Sequence, residues 1–174
     1  MESIIVSSER LNLLELGKSD APFVLNLLNQ QSFIKNIGDR NVRNISDAEK
    51  YIEKVAKSYA EFGFGLWKIE LKNEKIPVGI CGLLKRDYLA DVDLGYALLE
   101  DYFGNGYATE SAKLTIDFAK MNLKLKKLAA IVNTDNKSSI QLLLRTGFIY
   151  KSKFKIPDDQ TELDLFENSM VNDE

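Results

Sequence analysis

The chain has 174 residues, enough for one domain with a substantial core, and its formal charge of −3 at pH 7 argues against broad nucleic-acid binding. It contains no histidine, which excludes histidine metal sites and Ser-His or Cys-His catalysis, so acid–base work falls to Asp, Glu, Tyr, Ser, Lys or water. The single cysteine, Cys81, excludes an internal disulfide and suits a reducing cytosol. No apolar run approaches the ~18 residues of a membrane helix, and Met1-Glu2-Ser3 does not open a signal peptide, so a cytoplasmic location with no membrane partner is expected.

Residues 8–16 read as a strand, with Leu11 and Leu13 alternating against polar neighbours. Ser19 or Asp20 caps a helix with Pro22 in its first turn, burying Phe23, Leu27 and Leu28. The pattern weakens near Asn29, and residues 37–41 read as a loop. Ser46 and Glu49 form a capping box ahead of a helix carrying Ala48, Ile52, Val55, Ala56 and Tyr59 at helical spacing. Gly63-Phe64-Gly65 breaks it. Trp67, Ile69 and Leu71 alternate with Lys68, Glu70 and Lys72 in a half-exposed strand, and Asn73-Glu74-Lys75 turns the chain into a mostly buried strand over residues 78–84 with Pro77 at its start. Residues 86–90 form a further turn, so the first half is an antiparallel meander.

A buried strand spans residues 94–99, Gly104 and Gly106 bracket Asn105 in a short loop, and a helix starts near Ala108 with Ala112, Thr115, Ile116 and Ala119 on one face. Helix starts leave N–H groups without partners and carry partial positive charge, and glycines let a ligand approach the backbone. Strand, glycine loop and helix in sequence therefore suit a phosphate group. The loop lacks the lysine of a P-loop and the third glycine of a dinucleotide fingerprint. Residues 128–132 form a short core strand, parallel to residues 94–99 through a right-handed crossover. Asp135 or Asn136 caps the next helix, Ile140, Leu143 and Leu144 bury one side, and Gly147 ends it. Residues 148–156 and 161–166 close the fold as an antiparallel hairpin, and residues 168–174 read as a frayed tail of a single domain over residues 1–174.

Phe103-Gly104-Asn105-Gly106-Tyr107-Ala108-Thr109-Glu110 resembles the acetyl-CoA pyrophosphate loop of the GNAT N-acetyltransferases, whose pattern is Gln/Arg-x-x-Gly-x-Gly/Ala. Phe103 stands where Gln or Arg is usual, which is similar to the branch that acetylates the N-terminal alanine of ribosomal proteins. Ser8-Glu9-Arg10-Leu11 is similar to that family's first strand, and the two glycines of residues 78–84 to its Ile-Gly-x-x-Gly-Leu signature. Asn136, Ser139 and Gly147-Phe148 match its Asn-x-x-Ser and terminal Gly-Phe.

The resemblance implies an α+β fold: one mostly antiparallel sheet with a splayed parallel pair, flanked by helices. It implies acetyl-CoA as co-substrate, with no metal and direct attack by an amine. It places Gly104, Asn105, Gly106, Tyr107, Ala108 and Thr109 on the pyrophosphate, the backbones of Ala97, Leu98 and Leu99 on the pantetheine arm, and Asn136 on its other side. Ser139 becomes the candidate to protonate the leaving thiolate, and Asp93 the candidate base acting through water. Asp39, Arg40 and Tyr96 are candidate acceptor contacts. The acceptor is an amine-bearing protein N-terminus or small molecule, including an antibiotic; a non-catalytic acetyl-CoA-binding module is the alternative, and monomer and homodimer both remain open.

Overall fold

The computed structural model describes residues 3–171. Eight strands form one sheet in the order β1-β2-β3-β4-β5-β6-β8-β7. They are β1 (Ile4–Ser7), β2 (Leu11–Leu14), β3 (Leu66–Leu71), β4 (Pro77–Leu84), β5 (Asp93–Leu98), β6 (Lys127–Asn133), β7 (Ile149–Lys155) and β8 (Glu162–Ser169). Only β5 and β6 pair in parallel; every other neighbouring pair is antiparallel. This is the expected mixed fold, with one parallel pair in an otherwise antiparallel sheet.

Helices cover both faces. Helices α1 (Ala21–Leu28), α2 (Gln31–Asn36) and α3 (Ile45–Phe62) share one buried cluster with Leu66 and Ile80. Helices α4 (Tyr107–Met121) and α5 (Lys137–Arg145) share the other with Trp67, Ile69, Cys81, Leu83, Leu94 and Leu98. The period-two alternation of the strands sends successive residues to these two cores. Trp67 anchors the second core against Phe118, edge to face at 5.1 Å.

Burial on both faces explains several departures from the sequence reading. Strand β3 is buried throughout, including Lys68 and Glu70, because α1 and α3 cover the face expected to meet solvent. Lys68 Nζ lies 2.8 Å from Asp20 Oδ1, and Asn12 donates to Glu70 at 3.3 Å, so the buried polar groups are paired. Asp20 does not cap α1 with its side chain; it accepts from the Gly17 N–H instead.

The strand expected over residues 8–16 is shorter, β2 over Leu11–Leu14, and an unexpected β1 precedes it across a turn in which Leu11 N–H donates to Ser8 Oγ. Helix α2 fills the region where the pattern weakened, and α3 is capped by Asn44, which accepts from the Asp47 N–H, rather than by Ser46. Ala56 is exposed, and in α5 Leu142 is buried while Leu144 is 48% exposed. The expected frayed tail from Asn168 is corrected: β8 continues to Ser169 and Met170 is buried against the core, while residues 172–174 lie outside the described residues.

Two glycines of β4 stand where backbones press together. A Cβ on Gly82 would meet the Gly65 carbonyl oxygen at 2.0 Å, and one on Gly79 would meet that of Ala97 at 2.4 Å. No side chain larger than hydrogen fits at either place without a backbone shift.

Candidate functional site

The pairing of β5 with β6 is confined to Asp93 opposite Ala129, where Ala129 N–H donates to Val92 O at 2.9 Å. Beyond that point the strands part. Strand β5 stays on β4 to its end, with Leu99 N–H donating to Val78 O at 2.8 Å. In an antiparallel ladder alternate residues face the partner strand. Ala97 and Leu99 therefore spend their backbone groups on β4, while Tyr96 and Leu98 direct theirs into the gap. The backbones left facing the gap are thus those of Tyr96 and Leu98, a consequence of ladder parity that composition does not reveal.

A cleft of about 1800 Å³ runs along this gap, room for two substrates at once. Gly104, Gly106, Tyr107, Ala108, Thr109, Asn136, Ser139, Asp93, Tyr96, Ala97, Leu98, Asp39 and Arg40 all line it; Leu99 and Asn105 do not.

The glycine loop closes one end. Gly104 and Gly106 take φ of +77° and +81°, and Gly106 is the N-cap of α4. Such angles are strained for any residue with a Cβ. The Asn105 side chain donates back to the Tyr102 and Phe103 carbonyls, both at 3.2 Å, fastening the loop from within. The α4 N–H groups ahead of the first helical bond thus face an open, partly positive mouth.

Arg10 fastens the loop from outside, a role the sequence reading missed. Its Nη1 donates to the Asn105 carbonyl at 3.0 Å, its Nε to Glu110 Oε2 at 2.7 Å, and its guanidinium lies 4.8 Å over the Tyr107 ring. Ser8 Oγ donates to the other Glu110 oxygen at 2.6 Å. Both ends of this brace sit in segments quoted as family-like, 100 residues apart, but nothing in either segment says that they touch.

Across the gap, Asn136 caps α5: its Oδ1 accepts from the Ser139 N–H at 3.2 Å and from Ser138 Oγ at 3.0 Å. The cap fixes Ser139 in the first turn. The Tyr96 hydroxyl is buried and makes no hydrogen bond among the described residues. Burial pushes its pKa up to about 12; the Ser139 hydroxyl is near enough to pull the other way, though outside hydrogen-bond geometry. Two hydroxyls thus converge from opposite walls.

Asp93 is buried, and both its oxygens accept from Arg86 Nε, at 3.1 and 3.2 Å. Burial raises its pKa to about 6, with the guanidinium opposing. Arg86 Nη1 donates to the Tyr88 hydroxyl at 2.9 Å, and Tyr88 stacks on Phe154. Arg86 and Tyr88 had read only as turn residues. Asp39 is committed to its own loop, bonded to the Arg43 guanidinium and the Asn41 N–H, which hold its carboxyl below the usual range. Arg40 beside it makes no ion pair among the described residues. No group of three or more metal-ligating side chains occurs among them either.

A family model described as "Acetyltransferase (GNAT) domain" matches residues 10–149. The chain is 28% identical over 147 residues to the uncharacterized N-acetyltransferase YoaA of Bacillus subtilis (strain 168), covering 83% of this chain and 82% of that protein. Among solved structures, it superposes with a TM-score of 0.82 at 16% identity on RimL, a ribosomal L7/L12 alpha-N-protein acetyltransferase in complex with coenzyme A, covering 96% of this chain and 98% of that one. It also superposes with a TM-score of 0.80 at 22% identity on the microcin C7 self-immunity acetyltransferase MccE in complex with acetyl-CoA and AMP, covering 94% of each.

The brace leads to a prediction. Glu110→Ala removes the acceptor for both Ser8 and Arg10 and frees the glycine loop. Losing these charge-assisted bonds loosens the loop, so the Kd for acetyl-CoA by calorimetry should rise roughly tenfold. An unchanged Kd would show that the loop holds its shape without the brace.

Proposed function

This chain belongs to the GNAT acetyltransferase family, and on that premise we propose that it moves an acetyl group from acetyl-CoA directly onto an α-amine, such as a protein N-terminus. The observation that carries the reading is the buried, unpartnered Tyr96 hydroxyl beside Ser139, at a gap whose far end is a glycine-lined helix start. Leaving a buried polar group unsatisfied costs about 1–3 kcal/mol, a cost that a ligand group would relieve.

Acetyl-CoA supplies an activated acyl group; the rest falls to the chain. Backbone N–H groups from Gly106 to Thr109 hold the diphosphate. The backbones of Tyr96 and Leu98 replace, for the pantetheine arm, the strand partner that β6 no longer provides. Asn136 closes the other side through its amide nitrogen, since its oxygen is spent on the cap. A gap-facing N–H of β5 donates to the carbonyl oxygen as negative charge builds there. The C–N bond forms and the C–S bond breaks. Ser139, backed by Tyr96, delivers a proton to the leaving sulfur. With a pKa of about 12, Tyr96 stays protonated at neutral pH, as a donor must. Asp93 takes the amine proton through water.

The acceptor preference follows from basicity. An α-amine titrates near ~8 and lysine near ~10.4, so at pH 7 roughly a tenth of the first but under a thousandth of the second is already uncharged. Asp93, at about 6, is a weak base that suits the first. The N-terminal-acetylating branch of the family fits this preference.

Three outcomes test the proposal. Ser139→Ala and Tyr96→Phe should each lower kcat by about 10²-fold while leaving acetyl-CoA affinity within about threefold. An unchanged kcat removes that hydroxyl from proton transfer. Asp93 acts as a base only when ionised, so kcat/KM should fall as pH drops through about 6, and Asp93→Asn should flatten that acid limb. An acid limb that survives the substitution belongs to another group. Finally, a peptide with a free N-terminus should be acetylated faster than one blocked there but bearing lysine. The reverse order would overturn the α-amine preference, and acetyl-CoA binding without turnover of any amine would favour a binding module.

A further inference from the structure

The cleft wall facing α3 carries a charge pattern that acetyl transfer does not use. The chain is acidic overall, at −3, yet this wall is cationic: Arg40 from the loop before α3, Lys50 and Lys54 one turn apart on α3, and Lys85 with Arg86 after β4. Of the carboxylates lining the cleft, Glu61 lies about two turns beyond Lys54 on α3, and three nearer this wall are engaged. Asp39 is bonded to Arg43, Asp47 accepts from the Arg43 N–H, and Asp93 holds Arg86 by Nε alone. Arg40, Lys50 and Lys54 make no ion pair among the described residues, and Arg86 Nη2 has no partner among them.

These cations are not explained by the diphosphate. Arg86 is tied to the first residue of β5 and the glycine loop follows its last; six residues of strand, about 17 Å, lie between. Arg40, Tyr51 and Arg86 come from different segments but line the same cleft, and both cations draw down the pKa of the Tyr51 phenol against its burial. Two guanidiniums and a phenol lining one cleft offer the donors that a planar or tetrahedral anion takes. Asp93 neutralises only one of them and locks its orientation through Nε, while Tyr88 holds Nη1.

Resting on the transfer reading above, we propose that the acceptor amine carries an anionic group, a carboxylate or a phosphate, which Arg40 and Arg86 bind beside Tyr51. The same wall repels polyamines and aminoglycosides, whose additional positive charges would face Lys50, Lys54 and Lys85.

The test uses amide-capped tripeptides with a free N-terminus, identical except for asparagine, aspartate, phosphoserine or lysine at the second position, with ethanolamine against O-phosphoethanolamine as a small-molecule pair. At saturating acetyl-CoA, kcat/KM for an anionic member should exceed its neutral counterpart by roughly tenfold or more, with lysine lowest. The better of the aspartate and phosphoserine arms identifies the anion. Arg40→Gln should bring the anionic-to-neutral ratio close to one. The inference is overturned if neutral acceptors match the anionic ones in both series, if lysine is preferred, or if the ratio survives Arg40→Gln. Acetyl-CoA binding with no acetylation in any arm would instead bring down the transfer reading, and this inference with it.

Discussion

The structure is organised around a parallel pair that is allowed to come apart. Strands normally satisfy their backbone groups on both sides, and an exposed row of unpaired N–H and C=O groups is a template for another extended chain. Here the row lies inside the protein, at the centre of an eight-stranded sheet, because β6 leaves β5 after a single paired position. Antiparallel pairing on either side, β4 with β5 and β6 with β8, holds the two halves rigid while the middle stays open. An extended, amide-bearing arm is the shape that such a gap accepts.

The two faces of the sheet then divide the chemistry. Tyr96 points to the side of α4 and α5, where Ser139 waits; Asp93 and Ala97 point to the side of α1 to α3, where Arg86, Tyr51 and Arg40 line the wall. On the mechanism proposed above, the proton donors to the leaving group and the proton acceptor for the incoming one sit on opposite faces of one strand. The glycine loop is held at the far end by Ser8 and Arg10, so the N-terminal segment, far from the loop in sequence, takes part in shaping the mouth.

The local features were legible because local chemistry sets them. Glycines at positive φ, Asn136 as a helix cap and the apolar run of β5 announce themselves within a few residues. What the sequence concealed depends on long-range contact. Strand β3 alternates perfectly, yet a helical layer buries its polar side and leaves Lys68 to find Asp20. Arg10 and Glu110 look like ordinary surface charges until the sheet brings β2 under α4. Arg86 reads as a turn residue because its partner is the buried Asp93, which alternation alone does not orient. Which amides of β5 are free follows from ladder parity, a property of pairing and not of composition.

That parity gives the bare residues of β4 a further meaning. A slip of a single residue between β4 and β5 would exchange the two faces, turning the phenol of Tyr96 toward α3 and the carboxylate of Asp93 toward α4. Gly79 acts as a key against such misalignment, since a residue without a side chain must stand where the Ala97 carbonyl crowds in, and Gly82 does the same for β4 on its other side, against Gly65 at the start of β3. The bare Gly79 that lets the two backbones close therefore decides, from the neighbouring strand, which side of the sheet carries the phenol and which the carboxylate.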